Sequence, residues 1–314
     1  MYTQFYGFTE RPFDLTPNPK YLFLTPSHRE ALSSLEYGIS ARTGVTVLVG
    51  EAGTGKTTLI RATLEARDAA KTKAIYLNNP TLTKSEFLEF LAGEFKLPAE
   101  VALSKTRLLK ELEVALTKLH EASITPALII DEAQSLPHEL LEEIRLLANI
   151  ETVQDKLLPI VLAGQPELAD RLNHPSLRQL KQRVGLRCLL RQLDLGETGA
   201  YITARVAVAG GQAATVFTRE AVMVIHERSQ GIPRLVSVIC HNALISGFAL
   251  NQRPITASLV REVCEDFDLR SAAGMAMVPP FPPTAATSEP AQPQGLQRDI
   301  FGGVPRPKRR YSFF

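Results

Sequence analysis

Apolar positions along this chain recur in two rhythms. Between residues 45 and 190, short continuous runs of apolar and β-branched residues alternate with longer segments in which apolar side chains return every third or fourth position. The runs Val45–Val49, Lys73–Leu77, Pro126–Ile130, Leu158–Ala163 and Gly185–Leu190 read as buried strands. The segments Thr58–Arg67, Ser85–Phe95, Ser104–Ala122, Leu136–Ala148 and Pro166–Leu172 or beyond read as helices. Strands alternating with helices predict a parallel sheet covered on both faces, an α/β fold with three α/β/α layers. Ahead of the first strand, His28–Ser40 brings Ala31, Leu35 and Ile39 near one face, a helix with Ser27 as its N-cap.

Outside that stretch the rhythm changes. Residues 1–27 are crowded with aromatics and prolines, too apolar for disorder and too broken for a long helix, and are expected to lie as an extended strap on the domain that follows. Such a strap packs, and its place just ahead of the first strand also suits a wall of a base pocket or contact with a neighbouring subunit. Beyond Leu193 only helical periodicity remains, over about Leu195–Ala209, Thr218–Ser229, Arg234–Ala249 and Thr256–Phe267, a small helical bundle. From Leu269 the composition turns to Pro, Ala, Gly, Ser and Gln, a disordered or polyproline tail ending in Arg306, Lys308, Arg309, Arg310, Tyr311, Phe313 and Phe314. That end is either solubilising or a docking peptide. The expected units are therefore 1–44, 45–192, 193–268 and 269–314.

Composition narrows the setting. The 314 residues carry 35 basic and 33 acidic side chains, so no whole-molecule field argues for nucleic acid or an acidic membrane. Three cysteines without metal-site spacing read as free thiols in a reducing cytosol. The first residues have neither the basic nor the apolar region of a secretory signal, and no apolar run approaches the roughly 20 residues of a spanning helix. A soluble cytoplasmic protein is expected, unless a partner holds it at a membrane.

The candidate chemistry starts at Gly50-Glu51-Ala52-Gly53-Thr54-Gly55-Lys56-Thr57-Thr58, between the first strand and a helix. Glycines let backbone N–H groups curl around phosphate oxygens, and the helix N-terminus adds a favourable dipole. Lys56 suits the β- and γ-phosphates, and Thr57 suits Mg²⁺. ATP with Mg²⁺ is the expected ligand. The third strand ends in Asp131-Glu132, where Asp131 suits the metal and Glu132 suits an attacking water. The second carboxylate favours hydrolysis over mere binding. Asn78 or Asn79, at the end of the neighbouring second strand, is placed to restrain Glu132, with Asn79 favoured; an ordinary turn explains the pair equally well. Gln165 follows the fourth strand and suits the γ-phosphate or the water. Arg178 and Arg183 precede the fifth strand. Arg234 opens a helix after Gly231-Ile232-Pro233, where a cation is poorly matched to the helix dipole and a phosphate would account for it.

In that order these residues resemble the AAA+ ATPases over roughly residues 30–268. The resemblance implies Walker A and Walker B motifs, Gln165 as sensor 1, Arg183 or Arg178 as an arginine finger entering a neighbour's site, Arg234 as sensor 2 on a helical lid, and a sheet in which the Walker B strand is separated from the P-loop strand. The opening Met1-Tyr2, Phe5-Tyr6-Gly7-Phe8, Arg11-Pro12-Phe13, Thr16-Pro17-Asn18-Pro19, Tyr21-Leu22-Phe23-Leu24, His28-Arg29-Glu30-Ala31-Leu32 and Leu35-Glu36-Tyr37-Gly38-Ile39, with Tyr76-Leu77-Asn78-Asn79-Pro80 and Gly164-Gln165-Pro166-Glu167-Leu168, is similar to the ExeA, or general secretion pathway protein A, family. Longer members add a transmembrane helix and a peptidoglycan-binding part, so the expectation is a short soluble form like those linked to MSHA pili or exosortase loci. That implies a homo-oligomeric ring or filament acting on a secretion or pilus component. The alternatives are a DNA-binding ATPase regulating transposition, disfavoured by the neutral charge, and an ATP-switched scaffold that barely turns over.

Overall fold

In the computed structural model, the residues described are 1–267 without positions 15, 17, 18, 79, 80 and 154. The strands are β1 (Val45–Gly50), β2 (Thr72–Leu77), β3 (Thr125–Ile130), β4 (Ile160–Gly164) and β5 (Val184–Leu190). The helices are α1 (Tyr2–Tyr6), α2 (Pro26–Ser40), α3 (Lys56–Glu65), α4 (Lys84–Glu94), α5 (Lys105–Glu121), α6 (His138–Leu147), α7 (Pro166–Asn173), α8 (Arg178–Lys181), α9 (Leu195–Val208), α10 (Ala213–Val216), α11 (Arg219–Ser229), α12 (Pro233–Ala249) and α13 (Ala257–Asp266).

The sheet order is β2-β3-β4-β1-β5, with every pair parallel. β4 therefore lies between β1 and β3. Successive side chains of a strand point to opposite faces, and two core clusters divide the strands on that rule. Val45, Val47, Val49, Leu128, Ile130, Ile160 and Leu162 pack beneath α4, α5, α6 and α7. Leu48, Ala127, Ile129, Val161, Ala163, Cys188 and Leu190 pack beneath α2 and α3. Covered on both faces, β1 and β4 are buried at every position, which is why they read as continuous apolar runs.

Local chemistry sets the helix ends. α2 starts at Pro26 and not after Ser27. Thr25 is the cap, its Oγ1 accepting the His28 N–H, because proline at the first position lacks an N–H to satisfy and brings a helical φ. Thr83 with Glu86, and Asp194 with Glu197, form reciprocal capping boxes at α4 and α9.

The opening strap departs from expectation. It is partly helical, and its aromatics pack on α9, α11, α12 and α13 instead of the sheet, whose faces are already filled. Tyr6, Phe8 and Phe13 are buried with Tyr201, Phe217, Ile239 and Leu244 in one cluster. Phe13 meets Phe217 edge-on at 6.1 Å, and Phe23 meets Tyr201 at 5.8 Å. Arg205 of α9 fastens the strap further, donating from Nε to the Pro12 carbonyl at 2.6 Å and from a terminal nitrogen to the Asp14 carbonyl at 3.1 Å. No helix among the described residues is long and apolar enough to cross a membrane. The expected tail, with its basic and aromatic end, lies outside the described residues.

Candidate functional site

β1 ends at Gly50, and the chain turns through Glu51 to Gly55 before α3 starts at Lys56. Gly53 and Gly55 hold φ at 83° and 102°, which glycine alone adopts without strain. At Gly53 there is a second requirement. A Cβ there would lie 2.7 Å from Cβ of Arg234, and the Arg234 N–H donates to the Gly53 carbonyl at 3.2 Å. The loop and the first turn of α12 are thus in backbone contact.

Lys56 is buried, and its ammonium donates to the carbonyls of Gly50 at 2.8 Å and Glu51 at 3.1 Å. Burial pulls its pKa below the usual lysine value, against the opposing pull of Glu132, Asp131 and Glu51.

Parallel pairing carries the two carboxylates to the same sheet edge as the loop. Thr57 donates its hydroxyl to Asp131 Oδ2 at 2.6 Å, and the Tyr76 hydroxyl donates to the same oxygen at 3.1 Å. Glu132 sits in the left-handed region at φ 52°, ψ 36°, where a non-glycine residue is strained; such strain persists where the surroundings impose it. Its Oε2 accepts from Gln134 Nε2 at 2.7 Å and faces Gln165 Nε2 at 3.5 Å.

A cleft of about 330 Å³ joins these pieces, walled by the loop residues Gly53 to Thr58, Glu132, Arg234 and Ser237, and on the strap side by Tyr21 and Phe23. Its size falls within the range of small-ligand pockets.

Several expected residues meet here: Lys56, Thr57, Thr58, Asp131, Glu132, Gln165, Arg234 and the loop glycines. Arg178 and Arg183 do not. Both are exposed away from the cleft lining, and the Arg183 carbonyl accepts the N–H of Val45 at the opposite, amino end of β1. Asn79 lies outside the described residues, and Asn78 is exposed just past β2. Among the described residues, the side-chain amides that reach Glu132 are Gln134 and Gln165.

Four residues were not picked out beforehand. Tyr76 reads as an ordinary strand aromatic and Gln134 as an ordinary turn residue. Arg205 reads as a solvated helix cation. His28 reads as part of a helix, yet its Nε2 meets the Thr54 carbonyl at 3.0 Å and its Nδ1 meets Thr25 Oγ1 at 2.7 Å. A carbonyl only accepts, so Nε2 carries the proton and Nδ1 accepts from the threonine.

Comparison with known proteins meets this geometry. The family described as AAA domain matches residues 40–172. General secretion pathway protein A of Aeromonas hydrophila is 42% identical over 255 residues, 81% of this chain and 46% of that protein. The matched segment, residues 40–172, is an AAA domain. The chain spans about half the length of the curated relative that it matches. AAA+ structures of like fold include Cdc6p from Pyrobaculum aerophilum, with a TM-score of 0.62 at 17% identity over 85% of this chain and 74% of that one. ORC2 of Aeropyrum pernix, solved as ADPNP–ADP complexes, gives 0.58 at 21% identity over 82% and 72%. At these identities the likeness speaks for the AAA+ fold alone.

Proposed function

We propose that this chain binds and hydrolyses ATP with Mg²⁺, does so as a homo-oligomer, and drives assembly or remodelling of a bacterial export or pilus apparatus. The observation that carries the hydrolytic reading is the pairing of Thr57 with Asp131 at 2.6 Å beside a second carboxylate, Glu132, tethered by amides. Binding alone has no need of that second carboxylate.

Each residue has a role in this reading. The loop amides and the start of α3 take the β- and γ-phosphates, and Lys56 exchanges its two carbonyl partners for phosphate oxygens. The hydroxyl of Thr57 and the carboxylate of Asp131 are hard oxygen donors that fit Mg²⁺, which when bound supplies charge neutralisation on the phosphates. Glu132 orients the attacking water and takes its proton as the water oxygen bonds to the γ-phosphorus and the bond to the β-phosphate oxygen breaks. Gln165 lines up that water or the γ-phosphate. Arg234 adds positive charge from the lid, and Tyr21 and Phe23 wall the base.

Assembly follows from the arginines. β1 advances about 3.3 Å per residue, so Arg183 at its amino end is about 16 Å from the loop at its carboxyl end. It is far better placed to enter a neighbour's site than its own, and Arg178 shares its exposed segment. The export setting rests on the name of the Aeromonas hydrophila relative and on the strap motifs. Turnover per subunit measured through a dilution series tests assembly: it should fall steeply as the oligomer dissociates, and Arg183→Ala or Arg178→Ala should lower it at every concentration. Constant turnover per subunit would overturn the shared-site reading.

A further inference from the structure

We infer that Gln134 is a positioning residue: its carboxamide couples Glu132 to Gln165, so that the carboxylate and the residue after β4 move as one unit. The inference rests on the hydrolytic reading above and extends it to a residue that no nucleotide-binding motif requires.

A glutamine side chain presents one acceptor oxygen and a donor NH₂. Both ends are used here, on two different elements. Nε2 donates to Glu132 Oε2 at 2.7 Å, a charge-assisted bond, and Oε1 accepts the backbone N–H of Gln165 at 3.0 Å. That N–H belongs to the residue preceding α7, one of the donors a helix start leaves without an intrahelical partner, and α7 has no other side-chain cap. The Gln165 side chain approaches the same Glu132 oxygen at 3.5 Å. One carboxamide thus spans the ends of β3 and β4.

Two further features hold Gln134 in place. Arg171 of α7 donates to its backbone carbonyl. At Gly164, a Cβ would stand 2.8 Å from Gln134 Oε1 and 2.8 Å from Leu168, so a bare glycine is what lets the side chain pass between β4 and α7. The strained backbone of Glu132 fits the same picture: the carboxylate is held by its neighbours in a conformation it would not choose alone.

The consequence is specific. With Oε2 held by amides, Glu132 keeps a fixed orientation toward the cleft, and any displacement of Gln165 by the γ-phosphate is transmitted to it through Gln134. Removing the link leaves the nucleotide's own contacts intact and loosens the base.

The test compares Gln134→Met, which keeps the length and removes both bonds, with Gln134→Glu, which retains an acceptor for the Gln165 N–H and sets a second carboxylate against Glu132. Both variants should lower single-turnover hydrolysis of ATP roughly 10- to 100-fold, the scale of a misplaced catalytic group, while the affinity for a fluorescent ATP analogue changes less than about threefold. In a Glu132→Gln background, Gln134→Met should add less than about a twofold further loss, because its effect passes through that carboxylate. A purely structural role predicts an equal loss in both backgrounds, or a loss of analogue binding, and either overturns the inference. Hydrolysis that needs Glu132 but is unchanged in both Gln134 variants overturns it alone. If the parent chain turns over no faster than Glu132→Gln, it is the hydrolytic reading that fails.

Discussion

The sheet with its covering helices and the strap with its lid helices are built by opposite rules. In the sheet, the elements that pack together follow one another in strand-helix alternation, and the alternate residues of each strand sort themselves into the two clusters above and below it. In the other body, the strap at the start of the chain is buried with helices roughly 200 positions later: the Thr9 hydroxyl donates to the Ala209 carbonyl and Arg205 to the Pro12 carbonyl across separations of 200 and 193 residues. The sheet supplies Lys56, Thr57, Asp131, Glu132 and Gln165. The strap and lid supply Arg234 and the walls around Tyr21 and Phe23. The difference teaches that the chemical groups and the enclosure of this site come from separately built bodies, joined at Gly53 and Arg234.

The sharpest way to probe the division is to remove the central cation of the sheet side. Lys56→Ala should weaken ATP-analogue binding about 100-fold, as the loss of charge-assisted bonds worth roughly 1.5–3 kcal/mol implies, and should leave lid packing intact. Titration with the analogue, with a thermal melt of the same sample, checks both halves. Near-normal affinity would place the phosphates elsewhere.

The next effect lies on the other body. Phe13 is fully buried against the lid, so Phe13→Ala should destabilise the fold by about 3–5 kcal/mol. Chemical denaturation gives the value, and limited proteolysis should show residues 1–27 newly accessible. A strap that were a detachable arm would yield neither change.

The smallest expected effect is on pH, and it acts within both bodies. His28, in the first turn of α2 and against the loop carbonyl of Thr54, has its pKa pushed below the ordinary 6.5 by burial, partly offset by its bond to Thr54 and by Glu197. His241, edge-on to Tyr2 of the strap at 5.8 Å, is also lowered, by burial and then by Arg11. For both, the unfolded chain binds a proton more readily than the folded one. Their contribution is therefore present in full above pH 6.5 and is lost as the pH falls below it. Melting temperatures between pH 7.5 and 5 should decline, and His28→Gln should flatten the decline in part. A melt that does not respond to pH over that range would contradict the burial of both rings.

Much of this was legible in the sequence, unevenly and for physical reasons. The five strands were, because continuous apolar runs are what burial on both faces demands. That the loop from Gly50 to Thr57 and the pair Asp131-Glu132 meet at one sheet edge was, because each directly follows a strand of the same parallel sheet. The strap's resting place was not, since aromatic content says that a segment is buried and not against what. Gln134 was hidden for a different reason: a glutamine in a turn is usually solvated, and its role exists only because β3 and β4 pair and Gly164 leaves a gap. Thr25 displaced Ser27 as the cap of α2 because Pro26 fits a helix start, a signal present in the sequence and outweighed by the serine.

In the proposed hydrolysis, the second carboxylate of the sheet, Glu132, separates turnover from binding alone. ATP turnover by Glu132→Gln, measured beside its affinity for the nucleotide at a concentration that favours assembly, tests that most directly. Turnover should fall about 10²- to 10⁴-fold, the contribution of a positioned general base, with ATP bound as tightly as in the parent and the assembly held in its ATP state. Turnover within a fewfold of the parent would contradict the account.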